Sequence, residues 1–430
     1  MPFFSPLPWL LAGAAWGLPT DSHEEATAPP NSVDSEPESP DAAPPPEVDL
    51  AAIEAALATD AAATEPDPLP HAHLAPGARA TNLNPDLSFI ADFALAAFSG
   101  EPRQLGAHDP LVNGFNLQQL ELSASKPVDP YFRFDANLVF SELGVEIEEV
   151  YGTTLAMPGR MQLRVGQMLT RFGRINATHP HTWDFADQSL PIGRVFGAEG
   201  HRGLGLEASW LAPLPWYTEV LVCQTMNGGE ATHRSWADFS SMEVTSPVDL
   251  QTVAAVKQFY PLGPDWSVLW GLSWAVGPNG TGRTNRSEVY GTDLTVKFRP
   301  IQRASAGTQV ALASELMYRR RQVPDDVVSD LNTVTALTWR TSKRFAMGGR
   351  HELGTPELVE GGALADTVAL DPDWTSTRHR VAAALTYWPT EFSRLRLQSG
   401  PDVAAWIEPL GWSTFLAFEL SAGAHGAHAF

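Results

Sequence analysis

Two histidines and an aspartate in TRFGRINATHPHTWDFADQSLP, residues 170–191, have the spacing of metal ligands. His179 and His181 stand at positions i and i+2, so on an extended segment both imidazoles would point to the same side. Imidazole nitrogens and a carboxylate oxygen suit zinc, which makes Asp184 the candidate third ligand. The alternative is that Pro180 shapes a turn and that both histidines serve only as hydrogen-bonding groups.

Arginines and carboxylates crowd the same part of the chain. The interval 169–202 contains the cations Arg171, Arg174, Arg194 and Arg202 and the anions Asp184, Asp187 and Glu199. A ring of such charges at a narrow point of a pore sets its ion selectivity. The alternative is that the arginines pair with the acids and hold the segment in place.

No arrangement typical of an enzyme accompanies these residues. The chain has no GxSxG or HExxH sequence, and the spacing indicates no Ser–His pair. Its one cysteine, Cys223 in VLVCQT, can form neither an internal disulfide nor a thiolate metal cluster. We therefore predict a protein without enzymatic activity, in which Cys223 is a core or lipid-facing residue.

The charge of the chain is negative and unevenly placed. Lys and Arg total 28 against 50 Asp and Glu, which gives a net charge of −22, and residues 1–70 contain no Lys or Arg. A nucleic-acid partner would require a clustered basic face. The composition therefore indicates no nucleic-acid partner.

The first 82 residues differ in composition from the rest. Residues 1–20 have the short apolar core of an export signal peptide. Residues 21–82 are rich in Pro, Ala and acids and predict a disordered segment, with a short helix over 48–63. After the first twenty residues no apolar run is long enough for a transmembrane helix.

From residue 83 onward the chain alternates apolar and polar residues with a period of two, which is the mark of β-strands with two different faces. In LSFIADFALAAF, for example, Phe89, Phe93 and Leu95 share one face and Asp92 lies on the other. We count about sixteen such runs, each about ten residues long and able to cross a bilayer when tilted. They begin near residues 85, 115, 130, 145, 160, 203, 216, 250, 266, 287, 307, 332, 344, 377, 393 and 413.

A water-soluble β-sandwich is the competing interpretation of this pattern. Against it, charged residues such as Arg133, Arg164 and Lys297 lie on the strand faces opposite continuous aromatic faces. This pattern fits a water-filled interior and a lipid-facing exterior. Trp and Tyr recur near strand ends, and the chain closes on Phe430 after an alternating run. We therefore predict an all-β, transmembrane antiparallel β-barrel of about 16 strands over residues 83–430, surrounded by outer-membrane lipid.

A barrel of this size can hold an aqueous channel, which an inward-folded loop usually narrows. The interval 169–202 lies between two predicted strands, so we expect it to fold into the lumen or to cap one mouth. The residues predicted to line the pore or its constriction are Arg133, Arg160, Arg164, Arg171, Arg174, Asp184, Asp187, Arg194, Arg394 and Arg396.

Several motifs resemble a known family. VDPYFR, VEIEEVY, LRVGQ and FGRINATHPHTW stand within 128–183, and WPTEFSRLRLQ stands at 388–398. On these motifs, residues 83–430 resemble a family of bacterial outer-membrane β-barrels labelled zinc-regulated TonB-dependent outer-membrane receptors, which is similar to the phosphate-selective porins. The label implies a plugged, 22-stranded barrel. Residues 21–82 are too few for such a plug, so the sequence favours the porin side of the resemblance.

The function predicted from the sequence is a passive, porin-like channel for small hydrophilic solutes or ions. One alternative is an outer-membrane uptake protein specific for zinc or a metal chelate. Another is a structural barrel with a blocked lumen. A homotrimer is expected only by analogy with other porins of this size.

Overall fold

The structure is a computed structural model that describes residues 85–141, 144–236, 244–282, 284–302 and 307–423. The predicted export signal, the acidic segment with its helix over 48–63, and Phe430 lie outside the described residues. Among the described residues, no helix is long and apolar enough to span a membrane.

The described residues form one closed antiparallel sheet, in which β1 pairs with both β2 and β17. The two-residue strand β14 pairs with β12 just beyond the end of β13, so sixteen strands make the ring. The strands are β1 (Asp86–Phe98), β2 (Gly114–Pro127), β3 (Phe132–Ser141), β4 (Gly144–Thr154), β5 (Met161–Leu169), β6 (Arg202–Leu211), β7 (Tyr217–Thr225), β8 (Gln251–Leu262), β9 (Trp266–Pro278), β10 (Arg286–Phe298), β11 (Gln309–Val323), β12 (Asp326–Arg340), β13 (Phe345–Gly354), β14 (Leu358–Val359), β15 (Arg378–Thr390), β16 (Ser393–Val403) and β17 (Gly411–Gly423).

The prediction of a barrel of about sixteen strands is confirmed, and most predicted strand starts agree with the structure within a few residues. The largest difference is at β12, which was expected near residue 332 and begins at Asp326. Val323 pairs with Asp326 across a tight turn that contains Asp325 in the left-handed conformation, with φ of 64°. This turn extends the β11–β12 hairpin beyond the apolar alternation that the sequence shows.

The alternation of the strands sorts side chains between an outer and an inner surface. On β1, Phe89 and Phe93 are 45% and 42% exposed, whereas Ser88 and Asp92 are buried. On β9, Trp266, Trp270, Leu272 and Trp274 share the exposed face. A soluble protein buries such a continuous aromatic face, so the outer surface is the one expected to contact lipid.

The two ends of the barrel differ in their connections. At one end the strands are joined by short turns such as 128–131, 212–216, 263–265 and 341–344, and we call it the short-turn end. The long connections 99–113, 170–201, 226–250 and 355–377 all lie at the opposite, long-loop end. The α-helices of the described residues are two short ones in these loops, α1 (Leu190–Val195) and α2 (Glu230–His233).

An apolar core lies inside the barrel. Phe172, Val195, Phe196 and Trp236 from the long loops are fully buried against inward residues of β5 and β7–β11. Cys223 is one of these inward residues, so it is a core residue rather than a lipid-facing one. The core fixes part of connection 170–201 inside the barrel.

Candidate functional site: the lumen and its inner segment

Residues 170–201, which we call the inner segment, enter the lumen at Gly173. This glycine has φ of +56°, and a Cβ there would collide with the carboxylate of Glu315 on β11. The same carboxylate accepts hydrogen bonds from the backbone N–H groups of Arg174 and Ile175 at 3.0 and 3.1 Å. Ser273 on β9 accepts the N–H of Gly173 at 2.9 Å. The entry of the segment is therefore fixed mainly through its backbone.

Asp187 anchors the middle of the inner segment. Its carboxylate lies 2.6 Å from Arg350 on β13 and 3.1 Å from Arg380 on β15, and it accepts a hydrogen bond from Gln398 on β16. Burial opposes ionisation of Asp187, but the two guanidinium groups outweigh it and lower the pKa of this carboxyl group. Asp187 therefore remains charged inside the barrel and joins three strands.

Arg194 anchors the segment to the loop at 355–377. This fully buried guanidinium pairs with Asp371 at 3.1 Å, donates to Asn332 on β12 at 3.0 Å, and stacks over the ring of Trp374 at 3.8 Å. Arg319 on β11 pairs with Asp330 and lies 4.0 Å from the same Asp371. Arg319 thus faces inward and belongs to a buried ionic network.

Other predicted pore-lining arginines also have partners in the lumen. Arg164 and Arg171 pair with Glu207 on β6, and Arg171 also pairs with Glu219 on β7 at 2.8 Å. Arg394 and Arg396 on β16 donate to the backbone carbonyl of Trp183 at 3.0 and 2.6 Å, and Arg394 also pairs with Glu419. Arg133 pairs with Asp135 on β3, and Arg202 pairs with Glu146. The contacts of Arg171, Arg394 and Arg396 join the inner segment to the wall, which fits the alternative that arginines hold the segment in place. The other contacts join residues of the wall to each other.

Arg160 is not on a wall of the lumen, which corrects its predicted place beside Arg164. It occupies the turn before β5 with φ of 61°, and its side chain is exposed at the short-turn end. The strand starts one residue later than the polar alternation suggested. Positive φ at a non-glycine residue is typical of a turn rather than of a strand.

A second group of cations lies on the short-turn side of the inner segment. Lys297 lies within electrostatic range of Arg174, Arg299 and Asp184, and Arg340 lies within range of Arg299 and Asp184. Arg174, Arg299 and Asp184 are exposed, and Arg174 is also in range of Asp293. We call Arg174, Lys297, Arg299 and Arg340 the cationic cluster. The alternation of β10 places Lys297 on a polar strand face, but nothing in the sequence relates it to Arg174.

The two histidines meet carboxylates of the barrel wall. His179 lies 3.0 Å from Glu148 and 2.9 Å from Glu149 on β4, and His181 lies 2.9 Å from Glu121 on β2. Burial disfavours the charged form of His179, but the carboxylates outweigh burial and raise its pKa well above the ordinary value. The two imidazole rings stack with centroids 5.7 Å apart. Sequence reasoning missed these glutamates as partners of the histidines.

Asp184 is not part of this group, which corrects its prediction as third metal ligand. Residues Pro180–Thr182 form a 3₁₀ turn rather than an extended segment, and Asp184 follows it on the far side. Its carboxylate lies in range of Lys297, Arg340 and Arg396 instead. The turn also explains why the histidines face β2 and β4 while Asp184 faces the opposite wall.

Two small recesses lie between the inner segment, the 99–113 loop and the wall. Their cavity volumes are about 30 and 20 Å³, which is room for only one or two water molecules each. Both are lined by His108, Asp109, Pro180 and Trp183. The first extends to Glu148, and the second extends to Arg394 on β16. Both recesses therefore lie beside the inner segment.

Comparisons with known proteins agree with this architecture. No family model matches the chain. An uncharacterized protein of Aquifex aeolicus (strain VF5) is 29% identical over 388 residues, which are 80% of this chain and 80% of that protein. The outer-membrane channel DcaP of Acinetobacter baumannii has 12% identity and a TM-score of 0.52, covering 78% of this chain and 96% of its own. The chain has the fold of an outer-membrane porin.

Two further solved structures share this porin fold. The anion-selective porin from Comamonas acidovorans is 11% identical with a TM-score of 0.50, covering 78% of this chain and 98% of its own. A trimer form of OmpT, an outer-membrane protein of Vibrio cholerae, is 9% identical with a TM-score of 0.50, also covering 78% and 98%. At such identities the likeness concerns the fold, so the function is argued from the lumen.

Proposed function

We propose that this protein is a passive, porin-like channel of the bacterial outer membrane that conducts small hydrophilic solutes and prefers anions. The observation that carries the proposal is the cationic cluster. Its four cations lie on the short-turn side of the inner segment, where Arg174 and Arg299 are exposed and Lys297 and Arg340 are half-buried. Asp184 is an acid within range of both Lys297 and Arg340.

Charges of one sign that project into a narrow aqueous passage raise the local concentration of counter-ions. The buried guanidinium groups cannot act in this way, because the carboxylates of Asp187, Asp371 and Glu207 already neutralise their charge. The two groups of cations therefore have different roles. The buried group positions the inner segment, and the cationic cluster acts on the solute.

Single-channel recording of the purified protein in planar bilayers tests this proposal. A KCl gradient should give a reversal potential that shows anion preference, and Lys297→Gln should shift that potential toward zero. Arg320→Gln is the matched control, since Arg320 pairs with Glu288 on the outer surface and its loss removes the same charge. An open channel whose selectivity is the same in both variants would contradict the role of the cationic cluster.

Silent bilayers would favour a structural barrel with a blocked lumen, since the inner segment contacts most of the wall. Energised, TonB-dependent uptake of zinc is the candidate that the sequence resemblance implies. In the described residues, the structure inside the barrel comes from loops such as 170–201 rather than from a separate plug domain. A homotrimer is a further proposal, supported by the trimer form of OmpT, and cross-linking in detergent tests it.

A further inference from the structure

Five ionisable side chains meet at one place inside the barrel, where β2, β4 and the inner segment touch. They are Glu121, Glu148, Glu149, His179 and His181. One carboxylate oxygen each of Glu121 and Glu148 and one ring nitrogen of His179 all lie within 4.8 Å of one another. Histidine nitrogens and carboxylate oxygens are ligands that divalent transition metals prefer.

A β-bulge on β4 brings the two adjacent glutamates to the same side. Asn137 on β3 pairs with Glu149, but the next residue, Leu138, pairs with Ile147, so Glu148 is the extra residue. In a regular strand one of two neighbouring side chains would face the lipid. The bulge instead turns both carboxylates inward, and both are buried against His179.

The charge of this cluster requires compensation. The side chains of Glu121, Glu148 and Glu149 are 1%, 6% and 6% exposed, and Arg164 lies 3.7 Å from Glu149. Three buried carboxylates and one guanidinium leave two negative charges. Either two imidazolium groups or one divalent cation between neutral imidazoles restores neutrality. An uncompensated buried charge is expensive.

The surroundings of His179 have the arrangement found around metal-bound histidines. A ligating histidine usually donates its second ring N–H to a carboxylate, which fixes the orientation of the ring. Here Nδ1 of His179 faces Glu148, while Nε2 lies 2.9 Å from Glu149. Glu121 is likewise oriented, since it accepts a hydrogen bond from Ser123 at 2.9 Å.

We propose that Glu121, Glu148 and His179 bind a divalent transition-metal ion inside the barrel, with Glu149 orienting the imidazole and His181 completing the surroundings. Two donors bonded to one tetrahedral zinc ion at about 2.1 Å lie about 3.4 Å apart, so the three ligand atoms, which are within 4.8 Å of one another, must move closer together to bind it. Glu148 also lines the first of the two recesses beside the inner segment. This site is independent of the anion preference proposed above.

Titration calorimetry of the folded, full-length protein with Zn²⁺ alone tests the site. We expect saturable binding of one ion that weakens at least tenfold in Glu148→Gln and in His179→Gln. Glu149→Gln should weaken binding by about 10- to 100-fold, as for other residues that orient a ligand. Heat-modifiable gel mobility shows whether each variant is folded.

The matched control is the histidine pair His351 and His379, whose ring nitrogens lie 3.2 Å apart on the outer surface. Zn²⁺ binding that survives His351→Ala but is lost in Glu148→Gln supports the internal site. Binding lost in His351→Ala, or no binding at all, overturns it. Anomalous scattering at the zinc edge from zinc-soaked wild-type crystals gives a second reading that needs no variant. Conductance is measured separately, so failure of either proposal is distinguishable.

Discussion

Asp187 of the inner segment and Arg350 of the barrel wall form a direct ion pair, with the guanidinium Nη2 2.6 Å from the carboxylate Oδ1. Arg380 reaches the other oxygen of the same carboxylate at 3.1 Å. An inner-segment residue thus lies between two arginines that β13 and β15 hold side by side. In its absence those two buried cations would share Glu352, with Asp109 also in range of Arg380.

Asp187→Asn should therefore destabilise the barrel strongly while changing the side-chain shape little. Removing one partner of a buried ion pair typically costs about 3–5 kcal/mol, because the remaining charge is left uncompensated. We expect a lower temperature for the shift between folded and unfolded gel mobility. We also expect larger and noisier single-channel currents, because the inner segment loses its central anchor.

Arg320→Gln serves as the control for this prediction as well. Arg320 pairs with Glu288 at 2.9 Å, but this pair lies on the outer surface and is partly exposed. Exposed pairs contribute about 0–1 kcal/mol. If both variants shift the unfolding temperature equally, the Asp187 pairs do not hold the segment.

Gly173→Ala should loosen the entry of the inner segment. A left-handed backbone disfavours any Cβ by roughly 1–2 kcal/mol, and the new methyl group would also collide with Glu315. Gly263→Ala separates these effects, because Gly263 has φ of +78° but no atom within 4 Å of the added Cβ. We expect a change in conductance only for Gly173→Ala, recorded in planar bilayers. Equal conductance in the two variants would argue against the Glu315 contact as an anchor.

The pair His108–Glu199 should make stability depend on pH. Its atoms Nε2 and Oε2 lie 3.5 Å apart, between the 99–113 loop and the inner segment. Burial opposes the charged imidazole, but Glu199 and the more distant Glu148 outweigh it and raise the pKa of His108 from 6.5 to about 9. A group whose pKa is raised in the folded state stabilises the fold fully at pH values below its unfolded-state pKa. The contribution of His108 to stability therefore declines as pH rises from 6.5 to 9.

The pH dependence can be measured as the unfolding temperature of wild type and His108→Gln between pH 6 and roughly 9.5. The free energy of unfolding of wild type should exceed that of His108→Gln by at most about 3 kcal/mol near pH 6, and this difference should vanish above the raised pKa. Parallel curves for the two proteins would show that His108 is not charged in the folded state.

Cys223 should be unreactive toward maleimide reagents in the folded barrel. It is 1% exposed, faces inward from β7 and packs in the apolar core with Trp236 and Met168. The same protein unfolded in urea provides the control and should label fully, as followed by mass spectrometry. Rapid labelling of the folded protein would place the cysteine on an accessible surface.

The strand pattern was predictable because its signal is local. Whether a residue such as Phe89 or Asp92 faces lipid or lumen follows from a period of two, and sixteen repetitions define the barrel. The position of the inner segment also follows, since 170–201 interrupts that pattern. The partners of His179 could not be predicted in this way, because they depend on which strands the segment crosses and on a bulge at Glu148.

The roles of the individual charged residues could not be predicted from the sequence pattern either. Arg174 and Arg194 look alike in the sequence, yet one is exposed to the lumen and the other is completely buried beside Asp371. Only the fold of the 355–377 loop over the segment distinguishes them. Asp184 likewise could not be separated from the histidines until the 3₁₀ turn at Pro180–Thr182 was known.

The inner segment has one more consequence, for assembly of the cylinder. The first and last strands of the barrel, β1 and β17, meet at a seam. His181 pairs with Glu121 on β2, on one side of this seam, and the carbonyl of Trp183 accepts a hydrogen bond from Arg394 on β16, on the other side. The inner segment thereby connects the two ends of the barrel sheet from inside the lumen. The contacts that place the segment in the lumen therefore also join the strands on either side of the seam.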